Sequence, residues 1–484
     1  MDWMSPMDAS FLHIEGPMNP MHIGGVSIFE GPAPPFEQLE EMVDGKLGLV
    51  PRYRQKVRFV PLGLGRPVWV DDPHFNLSYH LRHSALPAPG SDEQLRRTAA
   101  RIFAQRLDRS KPLWEIWMLE GLEANRWALL SKVHHCMVDG VSATDMMSVM
   151  FESDAATHAP GAWEPEPEPS SAELVVRTLT HRTFDPGEQL RSLRAAARAP
   201  RESLGQAIGL LRGLTSSATS VMRPMGGSSL VGPVGPHRTW SWAHVRLGDV
   251  KAVRTALGGT VNDVVLTIAA GGIRELLESR GERTADRTIR ALVPVSVRRP
   301  GERGAYNNRV SAMFAELPIG DTGPAARLAA VRQQMDGLKR SNQAVAGDAL
   351  TSLSGFAPPM LLALGGRVAA RSPSLGVQIG ITNVPGPQIA LHTLGRRLLE
   401  SFPFVPVIGQ VRISVAIFSY DGGLYFGVTG DYDSSRDVDV LTAGVARSMT
   451  ELLAAAEQGA KPAKKRTRPK SKLKKAAAEG KRQS

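Results

Sequence analysis

Between residues 153 and 172 the chain loses the character of packed protein. Pro160, Pro165, Pro167 and Pro169 interleave there with Glu164, Glu166 and Glu168, a composition that favours an extended spacer over the interior of a helix or sheet. A second break, rich in Gly and Pro, runs from Met225 to His237. Between the two lies basic, partly amphipathic helical material over roughly 187–222. Any core must therefore be divided. We expect a first unit over 1–152, a linker with a helical crossover over 153–240, and a second unit over 241–458. A length of 484 residues agrees with this, because a single core stops growing near about 250–300 residues.

Each half mixes strands and helices, which predicts an α/β (α+β) architecture. In the first half, Trp127–Val133 reads as a short apolar strand and Val141–Glu152 as a helix. In the second, Val250–Leu257 and Val261–Arg280 read as helices and Thr288–Val297 as a strand. Val411–Ser419 and Leu424–Thr429 flank Asp421-Gly422, a hairpin signal, and Asp437–Glu457 closes as a helix.

The net charge of +11 is not spread over the chain. Residues 461–484 hold eleven Lys or Arg and one acid, Glu479, leaving 47 basic against 46 acidic residues in the rest. We expect 459–484 to be a disordered basic tail, since it has too little apolar surface to fold. Such a tail is either a solubilising end or attracted to anionic lipid, at about 1 kcal/mol per basic residue near the surface. Nucleic acid is the weaker partner reading.

Cys136 is the single cysteine, so no internal disulfide can form, which fits a reducing compartment. The start, with Asp2 and Asp8, is not the basic-then-apolar pattern of a secretory signal. The best uncharged run, Ala349 to Gly366, is interrupted by Thr351, Ser352, Ser354 and Pro358-Pro359, against the about 20 apolar residues that a spanning helix needs. The expectation is a cytoplasmic protein touching membrane or lipid-droplet surfaces only peripherally.

Ser131 to Asp145, SKVHHCMVDGVSATD, carries the chemistry. A strand ending at Val133 delivers His134 and His135 into a loop, and Gly140 lets the backbone turn. Ser142 and Asp145 have the spacing of a capping box for the next helix. A histidine at such a junction can project into a cleft, and it titrates where it can take a proton from a hydroxyl. A structural histidine pair is the bland reading. A metal site is not expected, because adjacent histidines rarely converge on one ion and no ligand set with metal spacing occurs elsewhere. Cys136 should turn inward. The absence of a G-x-S-x-G elbow argues against a serine hydrolase.

The run His134-His135-Cys136-Met137-Val138-Asp139-Gly140 resembles the H-H-x-x-x-D-G signature of the coenzyme A-dependent acyltransferase superfamily. That superfamily includes the chloramphenicol acetyltransferase-like fold, nonribosomal peptide condensation domains and bacterial wax ester synthase/diacylglycerol acyltransferases. Other segments select the last branch. Met4-Ser5-Pro6-Met7-Asp8-Ala9-Ser10-Phe11, Met21-His22-Ile23-Gly24-Gly25 and Pro112-Leu113-Trp114-Glu115 are similar to its first half. Val261-Asn262-Asp263, Pro294-Val295-Ser296-Val297-Arg298, Asn383-Val384-Pro385-Gly386-Pro387 and Tyr420-Asp421-Gly422 are similar to its second.

The resemblance implies two chloramphenicol acetyltransferase-like subdomains, forming a pseudo-dimer with a channel between them. It implies an O-acyltransferase that moves a long-chain acyl group from acyl-coenzyme A to diacylglycerol, giving triacylglycerol, or to a fatty alcohol, giving a wax ester. Acyl-coenzyme A would be a substrate, and no cofactor is expected. His135 would be the general base, with His134 its support and Asp139 architectural, pairing with Arg298 or Arg299. Asn262 would stabilise the oxyanion or orient the His135 region. Thr260 with Asp263 could merely cap a helix, and Trp114 could merely fill core volume. A condensation domain is the runner-up enzyme, and a non-catalytic lipid-droplet or membrane-binding protein the reading from another class.

Overall fold

The structure, a computed structural model, describes residues 2–137, 163–183, 227–296, 310–320, 322–340 and 376–460. The expected helix at 141–152, the helical crossover, the apolar run at 349–366 and the basic tail from residue 461 lie outside these residues, as do Asp139, Gly140, Ser142, Asp145, Arg298 and Arg299, while Gly459 and Ala460, expected in the tail, end a helix instead.

Apolar alternation in the first half builds β1 (Asp2–Trp3), β2 (His22–Glu30), β3 (Gln55–Arg58), β4 (Val68–Asp71), β5 (Leu81–Ala85), β6 (Trp114–Leu122) and β7 (Arg126–His134). With them come α1 (Pro6–Ile14), α2 (Phe36–Leu47), the short α3 (Leu77–His80) and α4 (Asp92–Ala104). Ser91 and Gln94 start α4 as a reciprocal capping box, and its apolar stripe Leu95, Ala99, Ile102 and Phe103 is buried. The expected strand 127–133 is β7, one residue longer at each end.

The second half holds β8 (Arg238–Arg246), β9 (Thr288–Ser296), β10 (Val310–Pro318), β11 (Ile379–Pro385), β12 (His392–Thr393), β13 (Arg396–Phe404), β14 (Ile413–Tyr420) and β15 (Gly423–Asp431). Its helices, after α5 (Ser171–Thr183), are α6 (Leu247–Leu257), α7 (Val261–Ser279), α8 (Pro324–Arg340) and α9 (Val438–Ala460). The expected hairpin is β14–β15, antiparallel, turning through Asp421 and Gly422 with φ of 40° and 78°. Helix α7 is buried along almost its whole length and crosses α9 closely. A Cβ at Gly444 would lie 2.8 Å from the Gly272 Cα, so the crossing depends on both glycines.

Two six-stranded sheets result, each with its own core. The order is β12-β13-β2-β7-β6-β5 in one and β10-β9-β11-β14-β15-β8 in the other, and β1-β4-β3 form a small third sheet.

The expected boundaries are crossed in three places. β13, from the second half, leaves its neighbours and pairs antiparallel with β2 in the first sheet, from Leu398 opposite Phe29 to Phe404 opposite Gly24. β8 begins at Arg238, inside the expected linker. The described part of the proline-rich stretch, from residue 163, is not a free spacer: Glu168 pairs with Lys56 and Arg58 of β3, and the Glu166 amide donates to Asp71 of β4 at 3.0 Å. Spacing along the chain carries no sign of these long-range docking choices.

Aromatic side chains join the halves. Phe103 of α4 stacks on Phe404 of β13 at 3.9 Å, and within the second half Trp242 of β8 stacks on Phe402 at 4.5 Å, tying β13 to the second sheet. No single helix among the described residues is long and apolar enough to cross a membrane.

Candidate active site

Strand β7 ends at His134, and His135 opens a single 3-10 turn, His135–Met137. Two neighbouring chains hold this end. The His134 amide donates to the Leu113 carbonyl at 2.9 Å, and the His135 amide donates to the Met21 carbonyl at 2.8 Å. Leu113 belongs to the Pro112-Leu113-Trp114 segment leading into β6. Trp114 is fully buried, its Nε1 donates to the Tyr53 carbonyl at 2.8 Å, and the His80 ring stacks on it at 4.5 Å. So Pro112, Leu113 and Trp114 both fill core and fix the neighbour that grips the histidines. Met21 precedes β2, in which Gly24 faces the opposing strand so closely that a Cβ would overlap the Ser131 carbonyl.

The two histidines differ. His134 is 1% exposed and its Nδ1 accepts the Cys136 amide proton at 3.1 Å, so the ring proton sits on Nε2, 3.6 Å from a Glu15 oxygen. The His135 ring is half-buried and stacked on Phe11 of α1, with centroids 3.9 Å apart and planes 20° apart. Its Nδ1 is buried with no hydrogen-bond partner among the described residues. Burial holds its pKa down to about 4, with a smaller opposing pull from its own backbone acceptor and a further lowering from His134. The imidazole is therefore neutral at physiological pH.

Behind them lies a buried polar cluster that the motifs do not announce. Glu15 has a side chain 1% exposed. It accepts the Met21 amide at 3.2 Å and Arg109 Nε at 2.9 Å, with His22 Nε2 at 3.6 Å and Arg106 at 3.8 Å. Burial alone would raise its carboxyl. The nearby His134 ring and the charge and hydrogen bonds of Arg109 overcome that and hold it well below the usual carboxylate range. His22 is pushed well below its usual value, chiefly by burial, and its Nε2 accepts the Leu107 amide at 3.2 Å. Lys132, fully buried opposite Glu115, is lowered to about 8 by desolvation. Cys136 is buried and its thiol is raised well above the ordinary range by desolvation, the opposite of an activated nucleophile.

A family model of the wax ester synthase/diacylglycerol acyltransferase catalytic domain matches residues 4–265. The chain belongs to the wax ester synthase/diacylglycerol acyltransferase family. The model of that family's C-terminal domain matches residues 306–453. This member is an O-acyltransferase. It is 36% identical over 456 residues, 94% of this chain and 96% of the other, to a Mycobacterium tuberculosis protein named "Probable diacyglycerol O-acyltransferase tgs1". The solved wax ester synthase/diacylglycerol acyltransferase from Marinobacter aquaeolei superposes with a TM-score of 0.65 at 24% identity, covering 94% of this chain and all of that one. The first condensation domain of the calcium-dependent antibiotic synthetase superposes with a TM-score of 0.58 at 18% identity, covering 95% and 96%. The fold is therefore the two-domain, chloramphenicol acetyltransferase-like one.

In this family member the second-half motifs fall into two groups. Asn383 Nδ2 donates to Asn262 Oδ1 at 3.1 Å, joining the Asn-Asp segment to the Asn-Val-Pro-Gly-Pro segment, a pairing the sequence reading missed. Asp263 is spent on structure: its carboxylate accepts the Thr260 amide at 2.7 Å while Thr260 Oγ1 accepts the Asp263 amide, so the capping reading holds for it. Among the described residues no hydrogen bond joins Asn262 or Asn383 to His134 or His135. Tyr420-Asp421-Gly422 lies at a distance in role, fastening β13: Tyr420 donates to the Leu398 carbonyl at 3.0 Å and accepts the Leu391 amide at 2.8 Å, and Asp421 pairs with Arg397 at 3.0 Å.

Proposed function

We propose that this protein is a diacylglycerol O-acyltransferase in which His135 removes the proton from the acceptor hydroxyl. The observation that carries the assignment is the division of labour between the two rings. Nδ1 of His134 is committed to the Cys136 amide, and its Nε2 is buried 3.6 Å from Glu15 without a hydrogen bond among the described residues. His135 is held through its backbone at a strand end, packed on Phe11 and kept neutral by burial. With Nδ1 buried, Nε2 is the basic atom presented to substrate.

In this scheme the hydroxyl oxygen attacks the thioester carbonyl of a long-chain acyl-coenzyme A as its proton passes to Nε2. Collapse of the tetrahedral oxyanion breaks the carbon–sulfur bond. The departing thiolate then takes the proton from the imidazolium. Asn262 is our candidate to stabilise the oxyanion, because Asn383 occupies only its Oδ1 and leaves its amide hydrogens to donate. No cofactor besides the acyl donor enters the scheme. Diacylglycerol is preferred over fatty alcohol as acceptor on the strength of the relatives' names. A cytoplasmic protein working against membrane or lipid-droplet surfaces fits the lipid substrates and the charge concentrated in 461–484.

Purified protein given radiolabelled acyl-coenzyme A should convert dioleoylglycerol to triacylglycerol faster than it converts a fatty alcohol to wax ester. His135→Ala should lose at least about 10²-fold in turnover, the low end of what positioned proton transfer contributes, with an unchanged circular dichroism spectrum. Retained turnover in the folded variant would remove His135 as base. A faster reaction with the alcohol would make the protein a wax ester synthase.

A further inference from the structure

The buried carboxylate of Glu15 lies about 120 positions upstream of the histidines, yet it touches both structures that set the position of His135. One oxygen accepts the Met21 amide, and the Met21 carbonyl in turn accepts the His135 amide at 2.8 Å. The other oxygen faces the Nε2 proton of His134, the residue immediately before the base. Glu15 is also the C-cap of α1, and its own amide donates to the Phe11 carbonyl at 3.0 Å. Phe11 is the ring that His135 stacks on. Two supports of the imidazole therefore converge on this side chain, and a third, the Phe11 helix, ends on the same residue's backbone. That side chain is itself held by Arg109, which bonds the carboxylate with Nε and donates to the Leu12 carbonyl at 2.9 Å from its terminal nitrogen.

We propose that the Glu15 carboxylate is a positioning group for acyl transfer, acting through His134 and Met21 to hold the His135 ring at its working position. The inference rests on His135 being the base. It does not make Glu15 touch substrate. Misplacing a catalytic group by about 1 Å can cost about 10²-fold, and loss of this clamp should have that order of effect.

The test compares Glu15→Gln with the unaltered enzyme and His135→Ala, using radiolabelled acyl-coenzyme A and dioleoylglycerol. Rates are expressed per folded molecule, from circular dichroism. Glu15→Gln should lose about 10²-fold in kcat with KM for both substrates within about twofold. The acid inflection of kcat/KM should move up toward 6.5, because a loosened ring regains contact with water. Mere loss of folded protein would leave that inflection in place. Wild-type kcat and an unmoved inflection in folded Glu15→Gln would overturn the proposal. If Glu15→Gln does not fold, Arg109→Ala, which alters a partly exposed residue, carries the same two readouts. Failure of both to fold would assign the cluster to the scaffold and also overturn it. Turnover by His135→Ala would defeat the base assignment separately, whatever the Glu15 variants do.

Discussion

In His134 the lone pair of Nδ1 is taken by the Cys136 amide and Nε2 is buried 3.6 Å from Glu15, whereas the neighbouring ring accepts no backbone amide among the described residues and stacks on Phe11. The difference has a pH consequence. A histidine base works only when neutral, and burial lowers the His135 pKa from 6.5 to about 4. The neutral form therefore persists through mildly acidic solution, and kcat/KM, which reports the free enzyme, should stay flat from pH 8 to about 5 and fall only on approach to about 4. A pH–rate series locating the fall near 6.5 would show a ring titrating as if in open water. The paired histidines and the inward Cys136 were legible because a strand feeding a loop is a local pattern. Glu15 was not. In sequence it is one acid in a polar turn, and only the return of β2 alongside β7 brings it under His134.

At the scale of elements, local chemistry again marks what can be read. Thr260 and Asp263 begin α7, and Asp421-Gly422 turns β14 into β15, because caps and turns are written in neighbouring residues. β13 shows the opposite case. Its partner β2 lies more than 360 residues away, as with Leu398 opposite Phe29, and nothing in its own apolar alternation says which sheet it will join. What secures it comes from the hairpin. Tyr420→Phe removes the hydroxyl serving both Leu398 and Leu391 and leaves a buried carbonyl and a part-buried amide without it. It should destabilise the protein by about 1–3 kcal/mol, seen as a lower midpoint in urea. An unchanged midpoint would mean that the arm is held by the aromatic stack at Phe402 and Phe404 alone.

For the molecule as a whole, charge and hydrophobic contact divide the work. The body is nearly neutral and its halves meet through rings, Phe103 against Phe404 and Trp240. The excess of basic residues is confined to 461–484. Removing those residues should weaken partitioning onto anionic vesicles at low salt while leaving turnover on detergent-dispersed diacylglycerol unchanged. Sedimentation with phosphatidylserine vesicles is the measurement, and equal partitioning would take the lipid role from the tail. The pattern of two α/β halves was legible from the breaks near 153 and 237, but the lending of strands from the second half to the first half's sheet was not.

That arrangement bears on inheritance and on fragments. A piece ending before Arg396 would leave the flank of His22–Glu30 without its hydrogen-bonded mate, an open border that invites association with whatever extended chain is nearby. The halves are thus not separable modules: the first is finished only by material lent from the second, and a gene cut between them would leave the first product short of its bordering strands.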